Sequence, residues 1–376
     1  MRQPHLLPFD SHNHVHMGPT PPIRSLFPDG DRQLPPSSTA PVLGGMAIMS
    51  THPRDYTRVL QLSKELPLQV AAAAGEGGGG DENDDSDADR RKLQVVPCFG
   101  VHPWFLHELT DRDWEDVVVE SAENDDDDVC KSVPRWVAEL EDMCVKNPNS
   151  IVGEIGLDGF HYDPVTNDLV STVDKQVLAF EHQFDLAVKI QRPVSIHCVK
   201  CTGQLTTTIA NIKKKWKEKN KKKMKKGSII PHPGLPPKVY FHAFGGKAGV
   251  VDQLLALCDD KPGGTGSRRR NEAGDDIESD EGSRRGGSVR VYFGFAPVIN
   301  FRSPKTSDLV RKIGLDRLVL ETDHEDAALV PSSIQEGIRF LADALNVEES
   351  VVIERTHENA LDLYGLRHQL PPSPQN

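Results

Sequence analysis

The residues of this chain best suited to chemistry are histidines and carboxylates at the ends of short apolar segments. The first segment leads into Asp10, His12, His14 and His16, spaced by two, so an extended backbone puts all four on one face. Further along come His102 in GVHPWF, Glu154 and Asp158 in GEIGLD, His197 in SIHC, His242 in FHAFGG, and Glu321 and Asp323 in LETDHED. A single strand histidine is ordinarily a hydrogen-bonded core residue. A carboxylate in an apolar strand is rarer, because burying an unpaired charge is costly. When such residues recur at equivalent places, one metal cluster explains them all. Imidazole and carboxylate without cysteine suit zinc, manganese or iron-type ions, and magnesium where carboxylate and phosphate dominate. Four histidines, one glutamate and one aspartate are too many for one tetrahedral ion and suit two ions bridged by a carboxylate. Two such ions, roughly 3.5–4 Å apart, are a standard device for hydrolysing phosphate esters.

Elements of regular length must hold these residues. Strand candidates are 7–12, 45–50, 94–100, 151–156, 193–198, 238–243, 289–295 and 317–322. Helical patterns cover 53–66, 133–146, 173–190, 202–217, 247–258, 304–313 and 331–345; in 173–190, Val177, Phe180, Phe184 and Val188 form one stripe. Short buried strands alternating with helices predict a parallel sheet. Eight such units in one core's worth of residues predict an α/β fold, a single (β/α)8 TIM-like barrel. The polar residues then fall at the C-terminal rim of the strands, where that fold carries out catalysis. No glycine-rich phosphate fingerprint follows the first strand, which weighs against an open doubly wound sheet.

The composition is diluted for one barrel. Hydrophobic residues make up 37% of the 376, and 44 Lys+Arg against 56 Asp+Glu give a charge of −12. The dilution traces to charged insertions at 71–92, 120–132, 213–226 and 259–288, read as disordered, and to a flexible tail at 367–376, leaving one barrel domain over 1–366. The 213–226 tract holds ten lysines; it reads either as a solvated, extended helix end or as a nuclear import signal or nucleic-acid tether. An acidic balance argues against coating nucleic acid by bulk electrostatics, but not against gripping a few phosphates through metal ions. No apolar run approaches the ~20 residues that span a bilayer, and the N-terminus lacks a secretory signal's apolar stretch. The expected location is the cytoplasm, the nucleus or both. Cys98, Cys130, Cys144, Cys198, Cys201 and Cys258 read as free thiols; the CxxC at Cys198–Cys201 lacks the second half of a zinc site.

In order, DSHNH, GVHP, GEIGLD, PVSIH, FHAF and LETD resemble the TatD family of metal-dependent deoxyribonucleases, within the metal-dependent amidohydrolase superfamily. The resemblance runs from about residue 9 to about 365, and FGVHPWF and IHCVKC are most similar to a eukaryotic sub-branch. It implies that His12 and His14 bind a first metal with Asp323, that Glu154 bridges two metals, and that His197 and His242 hold the second. It implies that His102 contacts substrate phosphate or water, that Asp323 orients or deprotonates the attacking water, and that the cofactors are two divalent ions (Mg2+, Zn2+ or Mn2+). The implied substrate is DNA, degraded as an exonuclease from single-stranded ends. Glu154 stands where carbamate-bridged amidohydrolases would carry a lysine. The chain departs from the family pattern at His16, at His324-Glu325-Asp326 and at Ala243-Phe244-Gly245-Gly246, which bears on substrate-facing loops. Two other readings stay open. One is an esterase or deacylase acting on a small molecule or aminoacyl-RNA. The other is a non-catalytic scaffold whose charged tracts dock protein partners of unknown kind.

Overall fold

In a computed structural model of the chain, the residues described are 6–25, 43–75, 93–119, 131–221, 234–259 and 290–366. Eight strands run parallel in one sheet: β1 (Phe9–Asn13), β2 (Gly45–Met49), β3 (Gln94–Phe99), β6 (Ile151–Asp158), β7 (Val194–Val199), β8 (Lys238–Phe241), β9 (Arg290–Gly294) and β10 (Leu318–Val319). Neighbours in that list pair with one another. The first and last strands also meet, through Ser11 N–H to the Leu320 carbonyl at 2.8 Å and Asp323 N–H to the His12 carbonyl at 2.9 Å. The sheet is thus a nearly closed (β/α)8 barrel, and each predicted strand is present within a few residues.

Helices α1 (Tyr56–Gly75), α2 (Arg135–Lys146), α3 (Val173–Ile190), α4 (Thr202–Lys219), α5 (Ala248–Cys258), α6 (Thr306–Ile313) and α7 (Val330–Leu345) wrap the barrel. α3 shows why they form. Its predicted stripe buries Phe180, Phe184 and Val188, Thr172 caps its start by accepting from Lys175 N–H, and Gln191 ends it in the left-handed region at φ 52°. Inside the barrel, Phe9, Met49, Val96, Ile151, Tyr240 and Tyr292 form a second apolar cluster. A β-carbon at Gly294 would collide there with Glu321 and Tyr240, so no larger residue fits.

Three features depart from the sequence reading. Helix α1 starts at Tyr56 and runs through Pro67 to Gly75, so 71–75 belong to it. Lys131–Pro134 (β5) pairs antiparallel with Asp116–Val119 (β4), so 131–132 are strand. Helix α4 takes in the first part of the lysine tract, as the predicted helix 202–217 and the helix-end reading have it: Trp216 Nε1–H donates to Asp185 Oδ1 at 2.9 Å, and the Lys213 ammonium reaches the Leu257 carbonyl. The predicted insertions at 76–92, 120–130, 222–226 and 260–288, and the tail 367–376, lie outside the described residues. An unforeseen helix, α8 (Glu349–Leu363), closes the end of the barrel opposite the rim. Its Asn359 amide donates to the Leu315 and Leu318 carbonyls at 2.8 Å each, and just beyond it the Tyr364 hydroxyl donates to the Ser11 carbonyl at 2.6 Å. No helix among the described residues is long and apolar enough to cross a membrane. The described cysteines 98, 144, 198, 201 and 258 are free thiols.

The closing seam rests on a two-residue strand, too short to hold itself. Asp10 reinforces it: its buried carboxylate accepts from Thr322 N–H at 3.1 Å, the Thr322 hydroxyl at 2.9 Å, the Asn13 amide at 3.0 Å and His12 N–H at 3.3 Å. Burial pushes its pKa up to about 7 against those hydrogen bonds. Asp10→Ala strands several buried donors and should destabilise the fold by about 2–3 kcal/mol in chemical denaturation. A loss below about 1 kcal/mol would mean that the seam does not depend on this carboxyl.

Candidate metal centre

The barrel brings Glu154, in the middle of β6, to the centre of a ring of imidazoles. Its Oε2 lies 3.2 Å from Nε2 of both His12 and His14, at the end of β1. Its Oε1 lies 2.5 Å from His242 Nε2 just past β8, 3.1 Å from His197 Nδ1 on β7, and 3.3 Å from His102 Nε2 after β3. Asp323 Oδ1, beyond β10, is 3.6 Å from Nε2 of His12 and of His14. The rings of His12 and His242 stack with centroids 3.9 Å apart. All six residues read as metal ligands therefore meet, together with His102.

The surroundings aim these rings. The His14 Nδ1–H donates to the Met49 carbonyl at 3.0 Å, leaving its Nε2 lone pair facing Glu154. Asp158 does the same for His197, accepting Nε2–H at 3.0 Å and leaving Nδ1 inward. His12 Nδ1 meets the Ser195 hydroxyl at 3.3 Å. His102 differs: its Nδ1 accepts from Trp104 N–H at 3.2 Å, so the neutral ring carries its proton on Nε2. Distance alone groups His102 with Glu154 and His197 as a cation-holding trio. The tautomer instead makes His102 a hydrogen-bond donor, which suits a contact to phosphate or water better than a bond to metal.

Two glutamines on one face of α3 hold the loops that carry these groups. Gln183 accepts from Val101 N–H at 2.7 Å and donates to its carbonyl at 3.1 Å; Gln176 accepts from Asp158 N–H at 2.6 Å and donates to its carbonyl at 2.9 Å. At the rim the chain turns sharply, with Lys200, Ala243 and Asp323 in the left-handed region at φ 58°, 41° and 58°. Such conformations are disfavoured for side-chain-bearing residues and collect at functional sites.

The electrostatics call for cations. Burial opposes charge on Glu154, but the imidazoles around it, His242 foremost, outweigh it and hold its carboxyl well below the usual range. Burial likewise opposes charge on His14 and His197, yet each is pushed up to about 9, His14 by Glu154 and Asp323 and His197 by Asp158 and Glu154. The cluster thus gathers protons where its carboxylates need positive charge. His102, driven down to about 4 chiefly by burial, stays neutral, and burial raises Asp323. Although three imidazole nitrogens lie within 3.3 Å of Glu154 Oε1, this buried oxygen makes no hydrogen bond of acceptable geometry, and neither does His242 Nδ1. A buried carboxylate oxygen left without a hydrogen bond among imidazole nitrogens fits a cation-binding donor set.

Other residues from the sequence reading lie elsewhere. His16 does not join its alternation partners; its Nε2 is 3.8 Å from Asp55 Oδ2 and its ring centroid is 6.2 Å from that of His14. Glu321 is tied to the Tyr240 hydroxyl and to Ala243 N–H at 2.7 Å, and burial pushes it up to about 8. Asp10 works at the seam. Burial pushes the Cys198 thiol up to about 11, which favours its protonated form. Ser195 and Trp104 were not singled out; Ser195 was detectable, standing two residues before His197 and so on the same strand face.

A family model described as "TatD related DNase" matches residues 86–267 and 277–365. The chain belongs to this family. It is therefore a TatD-related hydrolase, of a metal-dependent family, and its clusters of His, Glu and Asp can hold metal. The matched spans contain His102, Glu154, His197, His242 and Asp323; His12 and His14 precede them and join the centre through the fold. Among similar chains, the Cut9-interacting protein scn1 of Schizosaccharomyces pombe is 22% identical over 340 residues, covering 80% of this chain and 86% of that one. An uncharacterized deoxyribonuclease of Saccharomyces cerevisiae is 32% identical over 129 residues, covering 28% and 41%. The solved structure of a TatD homologue from Escherichia coli matches with a TM-score of 0.54 at 17% identity, covering 95% and 98%. A TatD family hydrolase from Entamoeba histolytica matches at 0.51 and 14%, covering 95% and 98%. These structures share the fold.

Replacing Asp158 with Asn removes the charge that orients His197. Metal affinity, read by competition with a chelator, should fall about 10- to 100-fold. An unchanged affinity would show that Asp158 does not act through His197.

Proposed function

We propose that this TatD-family hydrolase cleaves DNA phosphodiester bonds with two divalent ions, removing nucleotides from single-stranded ends. The observation that carries the reading is the division of labour at Glu154. Its Oε2 faces His12 and His14, on the side of Asp323, and its Oε1 faces His197 and His242. That division supports one ion held by His12, His14 and Asp323, a second held by His197 and His242, and Glu154 shared between them. Divalent ions of the magnesium, manganese or zinc class, when bound, polarise a phosphoryl oxygen and lower the pKa of a ligated water.

The chain's own residues supply the rest. Asp323, raised by burial and pinned by its N–H to the His12 carbonyl at 2.9 Å, is the carboxylate that takes the proton of the attacking water. Neutral His102 offers its Nε2–H to a non-bridging phosphoryl oxygen as negative charge builds there. Glu154 remains ionised throughout. The candidate ligand side chains are at most 15% exposed, Asp323 being the most open of them. A centre so recessed favours a pliable single-stranded end over stiff duplex.

Two variants test these roles on a labelled single-stranded oligonucleotide. Glu154→Ala should lose bound metal and turnover together; full metal-dependent cleavage by that variant would contradict the reading. His102→Ala should retain its ions while kcat falls about 100-fold, the usual cost of losing one charge-stabilising donor. Loss of an ion from His102→Ala would instead make His102 a ligand.

A further inference from the structure

Beside the centre lies a group of aromatic side chains with no part in the chemistry above. Trp104 follows the GVHP turn, is 39% exposed, and donates its Nε1–H to Asp158 Oδ2 at 2.7 Å. Its ring meets His102 edge-on at 5.1 Å and His197 at 6.1 Å, so it borders the cluster directly. His161 stacks on it, centroids 4.5 Å apart and planes 15° from parallel. On either side of His161, Phe160 is 64% and Tyr162 45% exposed, their rings edge to face at 5.9 Å. Single exposed aromatics are ordinary. Here Trp104 and His161 form one stacked pair against the cluster, and Phe160 and Tyr162 a second, exposed pair on the same loop as His161.

The loop is also well held. Asp158 Oδ1 accepts from Phe160 N–H at 2.6 Å, and Gly159 N–H donates to the Val199 carbonyl at 2.8 Å. That second bond sets the loop against the turn carrying Lys200, which is exposed, lies in the left-handed region, and pairs with no described carboxylate. Exposed Lys200 and the flat rings therefore stand on neighbouring turns at one edge of the centre. Flat faces that stack any base, beside a cation for the backbone, are the elements of single-strand recognition.

We propose that Trp104, Phe160, His161 and Tyr162 form a base-stacking subsite. It seats an unpaired nucleobase flanking the scissile phosphodiester, with Lys200 against the neighbouring phosphate. The proposal rests on the phosphodiesterase reading and adds to it how the strand is held and why it must be single. A base in duplex is already stacked and paired, so it cannot be offered to these rings.

The test uses the full-length protein and a thymidine hexanucleotide, against the same strand made abasic and against its duplex. Binding is read by tryptophan fluorescence and cleavage by product release with Mg2+ or Mn2+. The base-bearing strand should quench fluorescence in the wild type, and Trp104→Phe should abolish that quenching. Phe160→Ala and Tyr162→Ala should each weaken binding of the base-bearing strand about fivefold or more and shrink the preference over the abasic strand. The duplex should bind more weakly than the single strand. Equal binding of base-bearing and abasic strands, or quenching that survives in Trp104→Phe, overturns the stacking subsite. Failure to cleave any of these DNAs with metal present overturns the phosphodiesterase reading instead, and the binding measurements still decide the subsite.

Discussion

The molecule is arranged around one buried negative charge. Glu154 sits in the middle of a barrel strand, 1% exposed, where an uncompensated carboxylate would be prohibitively expensive. Water cannot compensate it there; only hydrogen-bond donors and cation ligands brought by other strands can. Five imidazoles surround it, contributed by the chain at β1, β3, β7 and β8. Compensation therefore requires those strands to stand side by side in register. A parallel barrel does this by placing every strand's C-terminal end on one rim, and α8 stabilises the other end without competing for that rim.

Much of this was legible in the sequence for a physical reason. Buried parallel strands read as short apolar runs, and a His, Glu or Asp ending such a run departs sharply from its surroundings. The convergence of His12, His14, His102, Glu154, His197, His242 and Asp323 follows from that pattern and from the resemblance it carries. Alternation, however, is a rule for extended backbone only. β1 ends at Asn13 and Val15–Met17 form a turn, so His16 leaves the face that His12 and His14 share. Likewise Glu321 and Asp323, two residues apart, part company, because the backbone at Asp323 has turned into the left-handed region.

Other parts were not legible. Helix α8 buries Thr356, His357 and Asn359 beside its apolar residues, so its inward face does not read as hydrophobic. The polar atoms are buried because they satisfy carbonyls at the barrel floor, a need that no local pattern announces. The hairpin β4–β5 joins strands across a segment whose composition reads only as solvated acid. The same holds for roles as against positions: that His102 donates while its neighbours accept follows from one backbone N–H at Trp104, visible only in the fold.

The proposed function requires that Glu154 separate two cations. The direct measurement is a crystal structure of the protein grown with Mn2+, with anomalous scattering recorded to place the ions. Two peaks about 3.5–4 Å apart are expected, one among His12, His14 and Asp323 and one among His197 and His242, with a Glu154 oxygen on each. A single peak, or a peak coordinated by His102 Nε2, would contradict it.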